Sequence, residues 1–90
     1  MDLEKIRKQI DKIDDNILSL LAERASLMPD VAQYKLENNI ARNQPEREKE
    51  LISKIIKQSE KYNLNSKYVQ NIFKRIIRES HTIQKKIIGK

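Results

Sequence analysis

Five polar side chains stand where the helical period of this chain asks for apolar ones: Arg24, Lys35, Glu48, Ser80 and Gln84. Arg24 falls between Leu20 and Leu27 on an otherwise apolar seam. A guanidinium buried there without a partner is prohibitively costly, so it must meet an anion or reach water. Lys35 follows eleven residues later, three helical turns along, and projects from nearly the same face. Glu48 shares a stripe with Leu51, Ile52 and Ile55 and has Arg47 beside it, while Ser80 and Gln84 lie one turn apart in line with Phe73, Ile76, Ile77 and Ile87. Each has an ordinary reading alone: a paired or snorkelling arginine, a rim lysine, a carboxylate favoured by a helix N-terminus, a polar residue near a helix end. Together they describe a site inside a helix bundle that binds a small dianion and donates hydrogen bonds to it.

Other chemistries are poorly served. There is no cysteine, and His81 is the sole histidine, which excludes thiolate and histidine-rich metal centres. No histidine sits beside a serine in a nucleophile motif, and no glycine-rich loop could cradle phosphate. Glu48 is the one plausible buried member of an acid/base pair. The expected site holds no metal and works by positioning and electrostatics.

Helices must do the positioning. One glycine, Gly89, and two prolines leave few places to turn, and Lys, Glu, Leu and Ile dominate over aromatics. Leu3, Ile6, Ile10, Ile13, Ile17, Leu20, Arg24, Leu27, Val31 and Tyr34 recur in alternating steps of three and four, an a/d seam that predicts a first helix over about 3–37. Pro29 falls within it, removes a helical hydrogen bond and should kink or break it. Asn38 to Gln44 reads as a loop. Pro45 opens a second helix over about 45–60 with Gln44 as its cap residue, and Asn65 or Ser66 caps a third over about 66–87. Val69, Ile72, Phe73, Ile76, Ile77, Ile83 and Ile87 form the buried face of that third helix. The expectation is an all-α chain of three helices forming one domain over residues 1–90.

The first helix would be about 50 Å long at 1.5 Å per residue, whereas a globule of this length has a radius of gyration of about 12 Å. Its apolar seam must therefore be covered by a second chain. Oligomerisation also supplies the extra core that a chain of 90 residues without disulfides or metal needs. The formal charge of +6 suggests an acidic partner, whether nucleic acid, a membrane surface or a small polyanion. The segment MDLEKIRKQIDKID has no apolar core of a signal peptide, and no run approaches a membrane span, so a cytoplasmic protein without a membrane partner is expected.

The segments IRKQIDKIDDNILSLLAERASL, VAQYK, PEREKELI and SHTIQ, in that order, closely resemble the all-helical (type II) chorismate mutases. The likeness runs from Leu3 to about Ile87 without a gap against the short bacterial members. It implies an intertwined homodimer whose sites each take one arginine, Arg7, from the partner subunit's first helix. Geometry agrees, since Arg7 and Lys35 would lie about 42 Å apart along one helix and meet only if two such helices crossed antiparallel near Leu21. The resemblance implies that Arg24 and the partner's Arg7 bind the carboxylates of chorismate and that Arg47 lends positive charge. Lys35 and Gln84 would bond the ether oxygen, Glu48 the ring hydroxyl, and Ser80 would help hold the ring carboxylate. The implied reaction is a Claisen rearrangement to prephenate, in aromatic amino acid biosynthesis, with no cofactor and no covalent intermediate. Gln44 stands where the family often has aspartate, at a point where cap and substrate contacts meet.

The nearest rival by resemblance is isochorismate pyruvate-lyase, which lacks counterparts of Glu48 and Ser80. From another class, a basic helical module binding nucleic acid or a partner helix would use Lys5, Lys8, Lys12, Lys85, Lys86 and Lys90. No DNA-reading motif and few aromatics support it, so no nucleic acid is expected. A regulatory or remnant domain serving an unknown partner enzyme is a third reading, which the complete residue set opposes while Pro29 and Gln44 keep it open.

Overall fold

The computed structural model describes residues 2–89, and all of its regular structure is helical: α1 (Leu3–Ser26), α2 (Met28–Glu37), α3 (Pro45–Lys61) and α4 (Ser66–Ile88). The single first helix expected over 3–37 is thus two segments. Pro29 has no N–H to give to the Ala25 carbonyl, so the ladder lapses for one turn. Leu27 keeps a right-handed backbone (φ −84°, ψ −16°), and its N–H reaches back to the Arg24 carbonyl at 3.2 Å. The ladder resumes where the Val31 N–H meets the Leu27 carbonyl at 3.1 Å.

Local chemistry sets the remaining ends. The Asp2 side chain accepts from the Lys5 N–H at 2.9 Å, and Asn65 accepts from Lys67 and Tyr68 at 3.0 and 3.2 Å, so Asn65 is the cap of α4. Gln44 occupies the cap position of α3, but its side chain makes no capping bond. Helices α2 and α3 stop alike. Asn39 and Asn63 take positive φ (54° and 56°), and the next residue's N–H folds back to a carbonyl five positions earlier: Ile40 to Lys35 at 2.9 Å, Leu64 to Ser59 at 2.8 Å. This is a Schellman ending with asparagine in the left-handed position that glycine usually takes.

Both α2 and α3 pack on α4, whereas α1 touches its neighbours only near its C-terminal end. From residue 2 to residue 23 every position is exposed, including Ile6, Ile10, Ile13 and Ile17 of the apolar seam. The chain is consequently elongated, 55 × 24 × 14 Å with a radius of gyration of 16.4 Å. Ile72 and Ile87, expected on the buried face of α4, stay 39% and 38% exposed, because α2 and α3 cover that helix on one side only. Among the described residues the buried apolar side chains are Ala32 and Ile55, outnumbered by the polar Ser59, Ser80 and Gln84. Lys5, Lys8 and Lys12 lie on the early turns of α1 and Lys85 and Lys86 at the end of α4; Lys90 is outside the described residues. No described helix is long and apolar enough to cross a membrane.

Candidate active site

Where α1 passes into α2, both come against the C-terminal half of α4, and the start of α3 closes the third side. The half-open cavity between them is about 230 Å³. Its apolar walls are Met28, Val31, Leu51 and Ile77. Its polar lining holds four cations, Arg24, Lys35, Arg42 and Arg47, against one carboxylate, Glu48. Gln44, Ser80, His81 and Gln84 complete it. Among the described residues no cluster of His, Cys, Asp or Glu could hold a metal ion. Such a charge excess attracts anions.

The side chains are already ordered. Arg24 Nη1 donates to Ser80 Oγ, and that hydroxyl in turn donates to the Ile76 carbonyl at 3.0 Å. Lys35 Nζ donates to the Arg42 carbonyl at 2.8 Å and to Gln84 Oε1 at 2.9 Å, which leaves its third proton for an acceptor in the cavity. Because Lys35 takes the oxygen of the Gln84 amide, the amide's NH₂ is left as a donor on the Met28 side of the cavity. There Nε2 lies 3.7 Å from Met28 Sδ, a weak acceptor that a ligand oxygen would readily replace. Gln84 is 4% exposed, so its amide has little freedom to reorient. Burial holds the Lys35 ammonium below its ordinary pKa of 10.5, Arg42 lowers it further by charge repulsion, and Glu48 opposes both.

Residues 6–85 match the family model for chorismate mutase type II. The chain belongs to the type II chorismate mutase family. Among its relatives, the bifunctional chorismate mutase/prephenate dehydratase of Buchnera aphidicola subsp. Acyrthosiphon pisum (strain APS) is 46% identical over 93% of this chain, which spans 22% of that protein. The chorismate mutase of Methanocaldococcus jannaschii is 41% identical over 96% of this chain and 87% of its own length. The bifunctional protein of Aquifex aeolicus is 36% identical over 96% of this chain, which spans a quarter (25%) of it.

Of the residues that the type II mutase pattern singles out, Arg24, Lys35, Gln44, Arg47, Glu48, Ser80 and Gln84 line this one cavity. Arg7 does not; it is exposed on α1, 17 residues before Arg24, and is not among the residues lining the cavity of its own chain. Two lining residues escaped sequence reasoning. Arg42 sits in the 38–44 loop, where no period betrays a side chain's direction. His81, whose Nε2 meets Glu48 Oε1, had a signal: it is four residues after Ile77 and one after Ser80, on the inward stripe of α4.

Proposed function

We propose that this chain is a chorismate mutase domain, spanning residues 1–90, that rearranges chorismate to prephenate as a homodimer. The observation that carries the reading is the Lys35–Gln84 pair, two donors held side by side in a cation-rich cavity. In the rearrangement the ether C–O bond breaks as a C–C bond forms, and negative charge grows on the ether oxygen. The third proton of Lys35 and the Nε2–H of Gln84 are the groups to meet it. Donors aimed at developing charge lower the barrier more than they tighten substrate binding. No proton changes hands, which suits a site without a nucleophile.

Arg24, with Arg7 of the partner subunit, would bind the two carboxylates, and Arg47 would add positive charge at the cavity mouth. This clamp selects the folded substrate conformer in which the two reacting carbons are close. Glu48 would accept from the ring hydroxyl, and Gln44 would contribute through its main chain. Ser80 serves first by fixing the Arg24 guanidinium; a contact with the ring carboxylate would require its hydroxyl to turn away from Ile76. The uncovered seam of α1 supports the homodimer, since a second α1 is the self-complementary cover available to it. We place the protein in the cytoplasm, in aromatic amino acid biosynthesis. What occupies the rest of the bifunctional relatives' length, and any partner enzyme, lies beyond this domain.

The test is incubation of purified protein with chorismate and, separately, with isochorismate, followed by chromatographic identification of products. Prephenate from chorismate well above the buffer control is expected. Salicylate and pyruvate from isochorismate alone would move the assignment to the lyase, and turnover of neither would leave a binding module.

A further inference from the structure

Glu48 is the one carboxylate in a cavity with four cations, a setting in which it should be drawn into an ion pair. Within the fold it is held instead by a ring nitrogen, His81 Nε2, on its Oε1. The two groups come from the facing helices α3 and α4, 33 residues apart, and their side chains are only 36% and 22% exposed. The same cavity is lined by Arg24 at the end of α1, Lys35 on α2, Arg42 in the loop and Arg47 on α3. His81 also carries a cost. Its Nδ1 is buried and finds no hydrogen-bond partner among the described residues. A buried polar atom without a partner destabilises the fold, so a ring tolerated there calls for a compensating role.

We propose that His81 is a positioning residue: its Nε2–H anchors Oε1 of Glu48 and so presents Oε2 as the acceptor for the substrate's ring hydroxyl. The second half of this statement rests on the chorismate mutase reading; the first half stands on the geometry alone. The logic is one of direction. A bidentate arginine would occupy both carboxylate oxygens, whereas one aromatic N–H occupies Oε1 and leaves Oε2 for another donor. With Oε1 held by His81, Glu48 is kept from closing on Arg24 or Lys35, whose remaining donors then serve the substrate's carboxylates and ether oxygen. His81 itself touches no reacting atom in this scheme.

The experiment compares wild type, His81→Leu, His81→Gln, Glu48→Gln and the His81→Leu/Glu48→Gln double variant in steady-state turnover of chorismate. Alongside it, the imidazole ¹⁵N and ¹H resonances are recorded, unambiguous because the chain has a single histidine. We expect His81→Leu to lower kcat/KM about tenfold, the scale of a lost hydrogen bond to a charged group. His81→Gln, whose amide reaches as far as Nε2, should recover to within about threefold of wild type. In the Glu48→Gln background His81→Leu should change kcat/KM less than about twofold, since a residue acting through Glu48 has nothing left to orient. A full His81→Leu effect in that background, or a folded His81→Gln as impaired as His81→Leu, would overturn the positioning role. The NMR arm is independent of catalysis: the ring should carry its proton on Nε2, and Glu48→Gln should shift that resonance. A proton on Nδ1 with bare Nε2 would overturn the pair itself. If wild type fails to convert chorismate, the ring-hydroxyl half falls with the functional reading, while the spectra still decide the His81–Glu48 anchor.

Discussion

Lys35 is held in a conflict that catalysis would resolve. Burial and the neighbouring Arg42 charge both disfavour its ammonium form, yet the proposed chemistry needs that form. Its folded pKa lies below the ordinary 10.5, so between those two values the unfolded chain binds more protons. Stability therefore rises with pH across that window, and below it the fold carries the full cost of the charge. Activity should move oppositely. As pH climbs through the lowered Lys35 value, a donor to the ether oxygen is lost, and kcat/KM should fall about tenfold per pH unit with a midpoint under 10.5. A bound dianion favours the ammonium, so the fall in kcat should come at higher pH than the fall in kcat/KM. Lys35→Arg, with a cation that does not titrate, should be slower but lack this alkaline limb. Coincident limbs, or an unchanged limb in Lys35→Arg, would show that another group titrates. Arg24→Ala tests the carboxylate clamp: kcat/KM should drop by about 10²–10³, the scale for removing one preorganised donor. Circular dichroism should show an intact fold, because removing one of four like charges relieves repulsion while freeing only the Ser80 hydroxyl.

At the scale of elements, the two Schellman endings make a matched pair with different consequences. Asn39 and Asn63 each hold a left-handed backbone, so alanine at either should destabilise by about 1 kcal/mol in urea unfolding, and glycine should be neutral or better. The 38–44 loop, however, supplies the Arg42 carbonyl that holds Lys35, whereas Asn63 turns the chain at the far end of α3. Asn39→Ala should therefore also lower turnover per folded molecule, while Asn63→Ala leaves it unchanged; equal activities would detach the loop's conformation from Lys35. The same contrast explains how much was readable in advance. Where a side chain's direction follows from a helical period, as for Arg24, Lys35, Ser80 and Gln84, sequence alone brought candidates to one face. The Arg42 position depends on loop torsions that no period encodes. His81 lies on a legible stripe, but its spacing does not show which carboxylate of a facing helix it meets. The lapse at Leu27 is foreseeable from Pro29 in kind but not in form, since a proline removes one helical hydrogen bond without dictating how the neighbouring turn closes.

The whole molecule poses the question of what covers α1. Its apolar seam is open from Leu3 to Leu20, and the 55 Å long axis belongs to a chain that cannot enclose its own first helix. At about 25 cal/mol per Å² of apolar surface removed from water, pairing two such helices would be a large share of the stability of so thin a core. Unfolding should accordingly depend on protein concentration, the midpoint rising as chains are added. The arrangement in which two α1 helices cross antiparallel makes a sharper prediction, because it splits each site between chains: Lys35 from one and Arg7 from the other. Arg7→Ala and Lys35→Ala homodimers should each be nearly inactive. In a heterodimer of the two, one site draws wild-type Lys35 and wild-type Arg7 from opposite chains and is whole, while the other site lacks both. Random reassortment after joint unfolding and refolding yields roughly half heterodimers, so roughly one quarter of wild-type activity should return. Native mass spectrometry would establish that the heterodimer formed. If it forms and activity stays at the level of the parents, Arg7 works within its own chain or not at all, and the crossing geometry is wrong even if the dimer is right.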